Sequence, residues 1–522
     1  MTTTLWRGGR VRTPADPFAT ALLTDGDTVA WVGSEQAASA LSPDRVVDLD
    51  DSWLAPAFVD AHVHATSTGL ALTGLDLTGS PSLAAALDRV EQAARRVRGG
   101  VVIGTGWDDT RWPERRPPTA AELDRASYGG VVYLARTDVH SAVASSALLA
   151  AAPQARLAGG FMGEGLVRQQ AHHEVRRVAY ASISPSQRRG VQLATLDRAA
   201  SLGIGCIHEC GGPDIGGEQD FVDVLTLTHG VHVVGYWGEL DGVERARALG
   251  AAGAGGDLFV DGALGSHTAA VRHPYHDADT TGQLYLDAGQ VARHVAACTR
   301  AGLQAGFHAI GDAALAVVVD GLSAAADEVG LDPVRAIRHR VEHAEMLDAA
   351  MIDRLAHLGV VASVQPAFDA RWGGSDGMYV ERLGLQRGGA LNPLAAMAAA
   401  GVVLALGSDA PVTALDPWGT LRAAVRHRTA GSGLSARAAF AAHTRGGWRA
   451  VGDDRTGELT PGAPATFAVW DVPGELAVQV PDERVSGWST DPRGAVSGLP
   501  DLDAPDPVCR RTVVAGVTVY EQ

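Results

Sequence analysis

Between residues 203 and 411, short apolar runs alternate with Ala-, Arg- and Leu-rich stretches of helical character. The runs are GIGCIHECG, VHVVGYWG, GDLFVDGALGS, LQAGFHAIGD, RHRVEHAE, VVASVQPAF and VVLALGSDAP, with stretches such as DAGQVARHVAACTRAG and DAAMIDRLAHLG between them. Such alternation argues for a parallel sheet, because parallel neighbours need a crossover longer than a hairpin turn. An earlier run, AFVDAHVH from Ala57 to His64, brings the set to the eight strands of a (β/α)8 TIM-like barrel. The fold class is therefore α/β. The gap between the first run and the second is too long for one crossover, so residues 68–195 read as an inserted subdomain plus the first helix. Short alternating segments broken by Gly, Asp and Pro occupy both chain ends: LWRGGRVR, ATALLTDGDTVAWVG and RVVDLDD, then ATFAVWDVP and RTVVAGVTVYE. They predict antiparallel strands. Residues 1–55 and 455–522 are thus expected to form one small β-sandwich beside a barrel spanning 56–454.

A chain of 522 residues, 46% hydrophobic, can bury more than one core. Its formal charge of −17 disfavours nucleic acid or an anionic membrane as partner and leaves a small-molecule substrate. The opening MTTTLWRGGRVRTPADPF has no apolar signal core, and no apolar run approaches the ~20 residues of a membrane span. Cys206, Cys210, Cys298 and Cys509 are too few for a disulfide framework in so long a chain. These features predict a soluble cytoplasmic protein. All 43 Lys+Arg residues are arginine. A Schiff-base lysine, a lysine general base and a carboxylated lysine are therefore all excluded.

Side chains two apart on a strand share a face, so His62 and His64 point the same way at the end of their run. The pair fits either an ordinary strand end or half of a metal site. Barrel chemistry sits at the C-terminal strand ends. Those ends carry His62 and His64, then Glu209, Asp261, His308, His343 and Asp409. A histidine and aspartate set of this size suits Zn²⁺ or a similar divalent ion. Cys206, His208 and Cys210 share one face of their run, and buried small cysteines explain them better than a thiolate site. His339 shares a face with His343, either orienting it or making a plain structural hydrogen bond. The insertion leaves from the catalytic face, which makes Trp107, Asp138 and His140 candidate substrate contacts; Ser266 and His267, past the fourth run, are others.

LAPAFVDAHVH, followed in order by His308, His343 and GSDAP, resembles the amidohydrolase superfamily of metal-dependent hydrolases. GWDDTRWPERRPPTAAELD, RTDVHSAVASSALL, FVDGALGSHTAA, FHAIGDAA and RHRVEHAEML narrow the resemblance to its YtcJ-like, amidohydrolase-3 branch, which includes N-substituted formamide deformylase-type enzymes. The resemblance implies His62, His64, His308, His343 and Asp409 as metal ligands, with Asp409 also shuttling the proton. It implies hydrolysis of an amide, N-substituted formamide or carbamate-type C–N bond, and a homodimer as the common assembly. Many relatives begin the fourth strand Lys-x-Phe-x-Asp-Gly, where a carboxylated lysine can bridge two metals. Here Asp257 stands at the lysine position. One ion is then favoured, leaving His343 to polarise a carbonyl. The alternative is two ions bridged by Asp257, Asp261 or Glu209, with Asp257 competent only if its backbone approaches closely. A bound ion would lower the pKa of its water, Asp409 would take the proton, and the leaving amine would receive it. A mononuclear deaminase is the runner-up, weakened because HAIGDAA offers only Asp312 where deaminase-type relatives place a glutamate. A non-catalytic metal-binding protein ranks last, since structural sites favour cysteine.

Overall fold

The computed structural model describes residues 2–97, 99–474, 476–477 and 498–522. Eight parallel strands form one sheet in chain order: β1 (Phe58–Val63), β2 (Ile204–Gly211), β3 (His232–Trp237), β4 (Gly253–Ala254), β5 (Gln304–Ala309), β6 (Arg340–His343), β7 (Val361–Val364) and β8 (Val403–Leu406). Every residue of β1, β2, β5, β6 and β7 is buried, as expected of strands covered on both faces. The sheet is drawn round to near closure by a bridge between Val63 and Ala410, where Asp409 N–H donates to the His62 carbonyl at 2.8 Å and His64 N–H to the Ala410 carbonyl at 3.0 Å. Closure therefore joins the histidine pair to the last aspartate through the backbone itself.

The fourth apolar run, which begins at Gly256, is not the regular strand expected; the regular strand lies just before it. Only Gly253–Ala254 pairs on both sides; the chain then leaves the sheet and touches β5 through a single bridge, Phe259 to His308. Three glycines set this path. A Cβ on Gly255 would lie 2.0 Å from the Gly306 nitrogen, and one on Gly306 would lie 2.4 Å from the Gly256 nitrogen. The two backbones touch, and Asp257 follows immediately.

The chain ends build two sheets. Thr28–Gly33, Ala21–Asp25, Thr3–Arg7 and Arg45–Asp48 form the first; Arg10–Val11, Trp53–Pro56, Phe467–Asp471, Val508–Val514 and Val517–Glu521 form the second. They are mixed rather than wholly antiparallel: Thr3–Arg7 pairs with Arg45–Asp48, and Arg10–Val11 with Trp53–Pro56, in parallel. Connections that cross between the sheets return these strands in the same direction. Trp6, Leu22, Leu54 and Phe467 pack within this region, with the Trp6 and Phe467 rings 5.1 Å apart. Trp418 packs against Phe58 at 5.3 Å and Trp470 at 5.3 Å, joining the second sheet to the barrel.

After β1, strands from Leu75–Asp76 to Leu166–Arg168 form a further five-stranded sheet, followed by the helix Gln169–Ala181 and the helix Pro185–Ser201 that leads into β2. No helix among the described residues is long and apolar enough to cross a membrane. Because Gly306 has no room for a methyl group, Gly306→Ala should cost about 1–3 kcal/mol, read as a lower urea midpoint. It should also lower metal content by pushing Asp257 off its position. An unchanged midpoint and metal content would remove the close approach from the explanation.

Candidate metal centre

His62 lies in β1 and His64 directly follows it, His308 lies in β5, His343 ends β6, and Asp409 follows β8. All five are buried, as is Asp257. His343 and Asp409 have φ of 68° and 53°, a left-handed conformation uncommon for non-glycine residues that turns each side chain out of the direction set by its strand.

Asp257 occupies the middle. Its Oδ2 lies 3.4 Å from His62 Nε2 and 3.2 Å from His64 Nε2, while its Oδ1 lies 3.3 Å from His308 Nδ1 and 3.6 Å from His343 Nε2. Asp409 Oδ1 completes the first group at 3.5 Å from His62 Nε2 and 3.3 Å from His64 Nε2. His308 Nδ1 and His343 Nε2 face each other at 3.0 Å. Tetrahedral ligands bonded to an ion at 2.0–2.1 Å stand about 3.3 Å apart. The observed spacings fall on either side of that edge length.

The far ring nitrogens explain why these lone pairs face inward. His62 Nδ1–H donates to Glu342 at 2.8 Å, His64 Nδ1–H to the Cys210 carbonyl at 2.9 Å, His308 Nε2–H to the Gly262 carbonyl at 3.2 Å and His343 Nδ1–H to Gln365 Oε1 at 2.9 Å. Each acceptor selects a tautomer and leaves the other nitrogen free to bind a cation. His62 Nε2 and Asp409 Oδ1 are fully buried without a hydrogen-bond partner, so the donor set fits a divalent cation. Burial alone would raise the Asp257 carboxyl, but His62, His308 and His343 hold it well below its ordinary range. Burial likewise opposes ionisation of Asp409, and His62 and His64 overcome it. His64, despite burial, is raised to about 9 by Asp257 and Asp409.

A profile of the amidohydrolase family matches residues 45–520. The chain belongs to the amidohydrolase family. This amidohydrolase is 26% identical to a putative amidohydrolase, YtcJ, of Bacillus subtilis (strain 168), over 81% of its own length and 84% of the relative's. It is 24% identical to an N-substituted formamide deformylase of Arthrobacter pascens, covering 79% and 81% of the two chains. An uncharacterized metal-dependent hydrolase from Pyrococcus furiosus superposes with a TM-score of 0.69 at 25% identity, covering 90% of this chain and 98% of that one. With the donor set above, these likenesses make the protein a metal-dependent hydrolase using a divalent ion.

The other carboxylates considered as bridges have different partners in this amidohydrolase. Asp261 accepts from the backbone N–H groups of Ala270 (2.8 Å), Ile310 (3.1 Å) and Gly311 (2.8 Å), so it ties the loop after β4 to the turn after β5. Burial pushes it to about 7. Glu209 accepts from Ala65 N–H at 2.7 Å and is likewise raised to about 7 by burial. His339 bonds Thr299 Oγ1 and the Ala305 N–H, both at 2.9 Å, a structural arrangement within the barrel wall. His208 Nδ1 accepts from Arg340 at 3.2 Å.

A cleft of about 740 Å³, partly open to solvent, is lined by His64, Asp257, His308, His343 and Asp409 together with residues of the insertion. His140 lines it, its ring centroid 4.9 Å from that of His308. Asp138 binds Arg136 at 2.7 Å, Ser266 Oγ at 2.7 Å and the His140 N–H at 3.1 Å, so it holds His140 in place; Ser266 also meets Ser141 at 3.0 Å. Trp107 donates to the Leu134 carbonyl at 2.9 Å and His267 pairs with Asp277 at 2.9 Å; both line a separate cavity.

Sequence reasoning missed Glu342, Gln365 and the helix Gln169–Ala181. Glu342 sits beside the ligand His343 but on the opposite face of β6, where Arg340 holds its carboxyl down to about 2 against the effect of burial. The alternation of RVEH carried that signal. Gln365→Ala removes the acceptor that orients His343. Metal affinity, measured by competition with a chromophoric chelator, should fall about 10–100-fold with the fold intact; unchanged affinity would exclude this orienting role.

Proposed function

We propose that this amidohydrolase cleaves the C–N bond of an amide, N-substituted formamide or carbamate in a small molecule, and that its centre would hold two divalent ions, best matched by Zn²⁺, with Asp257 as a ligand available to both. The observation carrying the reading is the division of the Asp257 oxygens between the His62–His64 and His308–His343 pairs. Sequence alone favours one ion because an aspartate is short; the close approach of Gly255, Gly256 and Gly306 supports the two-ion reading by bringing the Asp257 backbone inward. His62, His64 and Asp409 would hold one ion and His308 and His343 the other, so His343 is read as a ligand rather than a carbonyl polariser. The deformylase relative supports the C–N assignment.

Divalent ions held there supply Lewis acidity that brings a water's pKa toward neutrality and polarises a carbonyl. Asp409, ionised and at the edge of the cleft, accepts the proton of the attacking water and returns it to the departing nitrogen. Neutral His140, kept so by burial and by His308, bounds the space beside the reacting carbonyl. Asp312 accepts from the Arg272 N–H at 2.9 Å and does not line the cleft, which counts against the deaminase alternative.

Elemental analysis of protein purified without chelator should give about two ions per chain, and Asp257→Asn at most one. A wild-type value near one would overturn the bridge. Across a panel of amides, formamides and aminopyrimidines, amine release rather than ammonia is expected. Asp409→Asn should lower kcat by about 10²–10⁴-fold while retaining much of the metal. Full turnover in that variant would remove the proton role.

A further inference from the structure

The helix Gln169–Ala181 places Gln169, His172, His173, Arg176 and Tyr180 along the cleft that the metal-centre residues also line. Arg176 is only 8% exposed, and its guanidinium has no carboxylate partner among the described residues. Its Nη2 donates to the Asp214 carbonyl and lies 3.3 Å from His173 Nδ1, and its Nε has no partner. Other buried guanidiniums are neutralised: Arg340 by Glu342, Arg136 by Asp108, Asp109 and Asp138, and Arg382 by Asp277. Its neighbours on the cleft wall, Gln169, His172, His173 and Tyr180, carry no carboxylate, and the Asp214 side chain acts on His173 without forming an ion pair with the Arg176 guanidinium. His173 is lowered to about 4 by burial and by Arg176, and His172 is lowered by the same two causes. His172 Nε2 pairs with the Tyr133 hydroxyl at 2.8 Å, and the Tyr180 hydroxyl with Ser67 Oγ at 3.0 Å.

A buried charge without a counter-ion is costly, so a ligand that supplies one gains a charge-assisted hydrogen bond and relieves that cost. We propose that Arg176 is a subsite for a carboxylate on the substrate, remote from the scissile C–N bond. This assignment rests on the hydrolase reading above. The chain of contacts from His308 to Phe259 (5.1 Å), Phe259 to His173 (5.7 Å) and His173 to Arg176 (3.3 Å) sets a spacer of several carbons between the reacting carbonyl and the anion. N-acylated or N-formylated ω-amino acids have this shape. One guanidinium among neutral histidines and tyrosines matches a monoanion; a phosphate dianion would bury a second, uncompensated charge.

The test uses calorimetric binding of two probes to the metal-loaded protein, N-formyl-ω-aminohexanoate and its neutral counterpart N-hexylformamide. The carboxylate should bind about 10–100-fold more tightly, the range of a hydrogen bond to a charged group. Arg176→Met should bring it down to the affinity of the neutral probe, and Arg176→Lys should keep part of the preference. Should the Met variant not fold, Arg176→Gln removes the charge while keeping a donor for the Asp214 carbonyl. Equal affinities in the wild type would overturn the proposal, as would a preference that survives loss of the charge, which would place the carboxylate on the metal ions. Binding is read without turnover. An Arg176-dependent preference with neither probe cleaved would remove the C–N cleavage reading and keep the subsite; cleavage of both probes with affinities that do not depend on Arg176 would do the reverse.

Discussion

Two carboxylates and four imidazoles are buried together at one end of the barrel, and their charges and lone pairs have to be matched there. Asp257 does most of this, facing His62, His64, His308 and His343 at 3.2–3.6 Å. Burial opposes its ionisation, yet the surrounding imidazoles keep it charged. The same balance extends below the centre. Glu342 fixes the His62 tautomer and is itself compensated by Arg340, which also donates to the Ala61 carbonyl at 2.8 Å and lies 4.2 Å from the Tyr236 ring centroid. An uncompensated charge at any of these positions costs several kcal/mol, so the network is set as a unit.

The position of Asp257 is a backbone achievement. This lysine-free chain brings its main chain inward so that a short aspartate reaches the four imidazoles. The glycines at 255, 256 and 306 make that possible because each lacks the Cβ that would collide. The cost is visible in the fourth barrel strand, which keeps only Gly253–Ala254 in regular pairing. Asp261 offsets part of the loss by accepting three backbone N–H groups from the loop that follows and from the turn after β5.

The insertion gives the centre its wall. Asp138, braced by Arg136 and Ser266, holds His140 beside His308, while the helix Gln169–Ala181 brings a polar stripe into the cleft with a guanidinium that has no carboxylate partner among the described residues. The barrel thus supplies the candidate metal ligands, and the insertion supplies much of the cleft wall beside them.

Local periodicity was enough to read the barrel, because strands and helices impose spacings of 2.0 and 3.6 that survive in the sequence. It also placed His62, His64, His308, His343 and Asp409 at strand ends, where residue type already announces metal chemistry. The absence of lysine excluded a carboxylated bridge outright. What the sequence could not convey was approach across space. Whether Asp257 reaches both histidine pairs depends on contact between residues 255–256 and 306, which no local pattern encodes. That Arg176 has no carboxylate partner among the described residues depends on which acids fold away from it. Distances between segments far apart in the chain arise from closure of the barrel and docking of the insertion, and so the tertiary structure alone decided them.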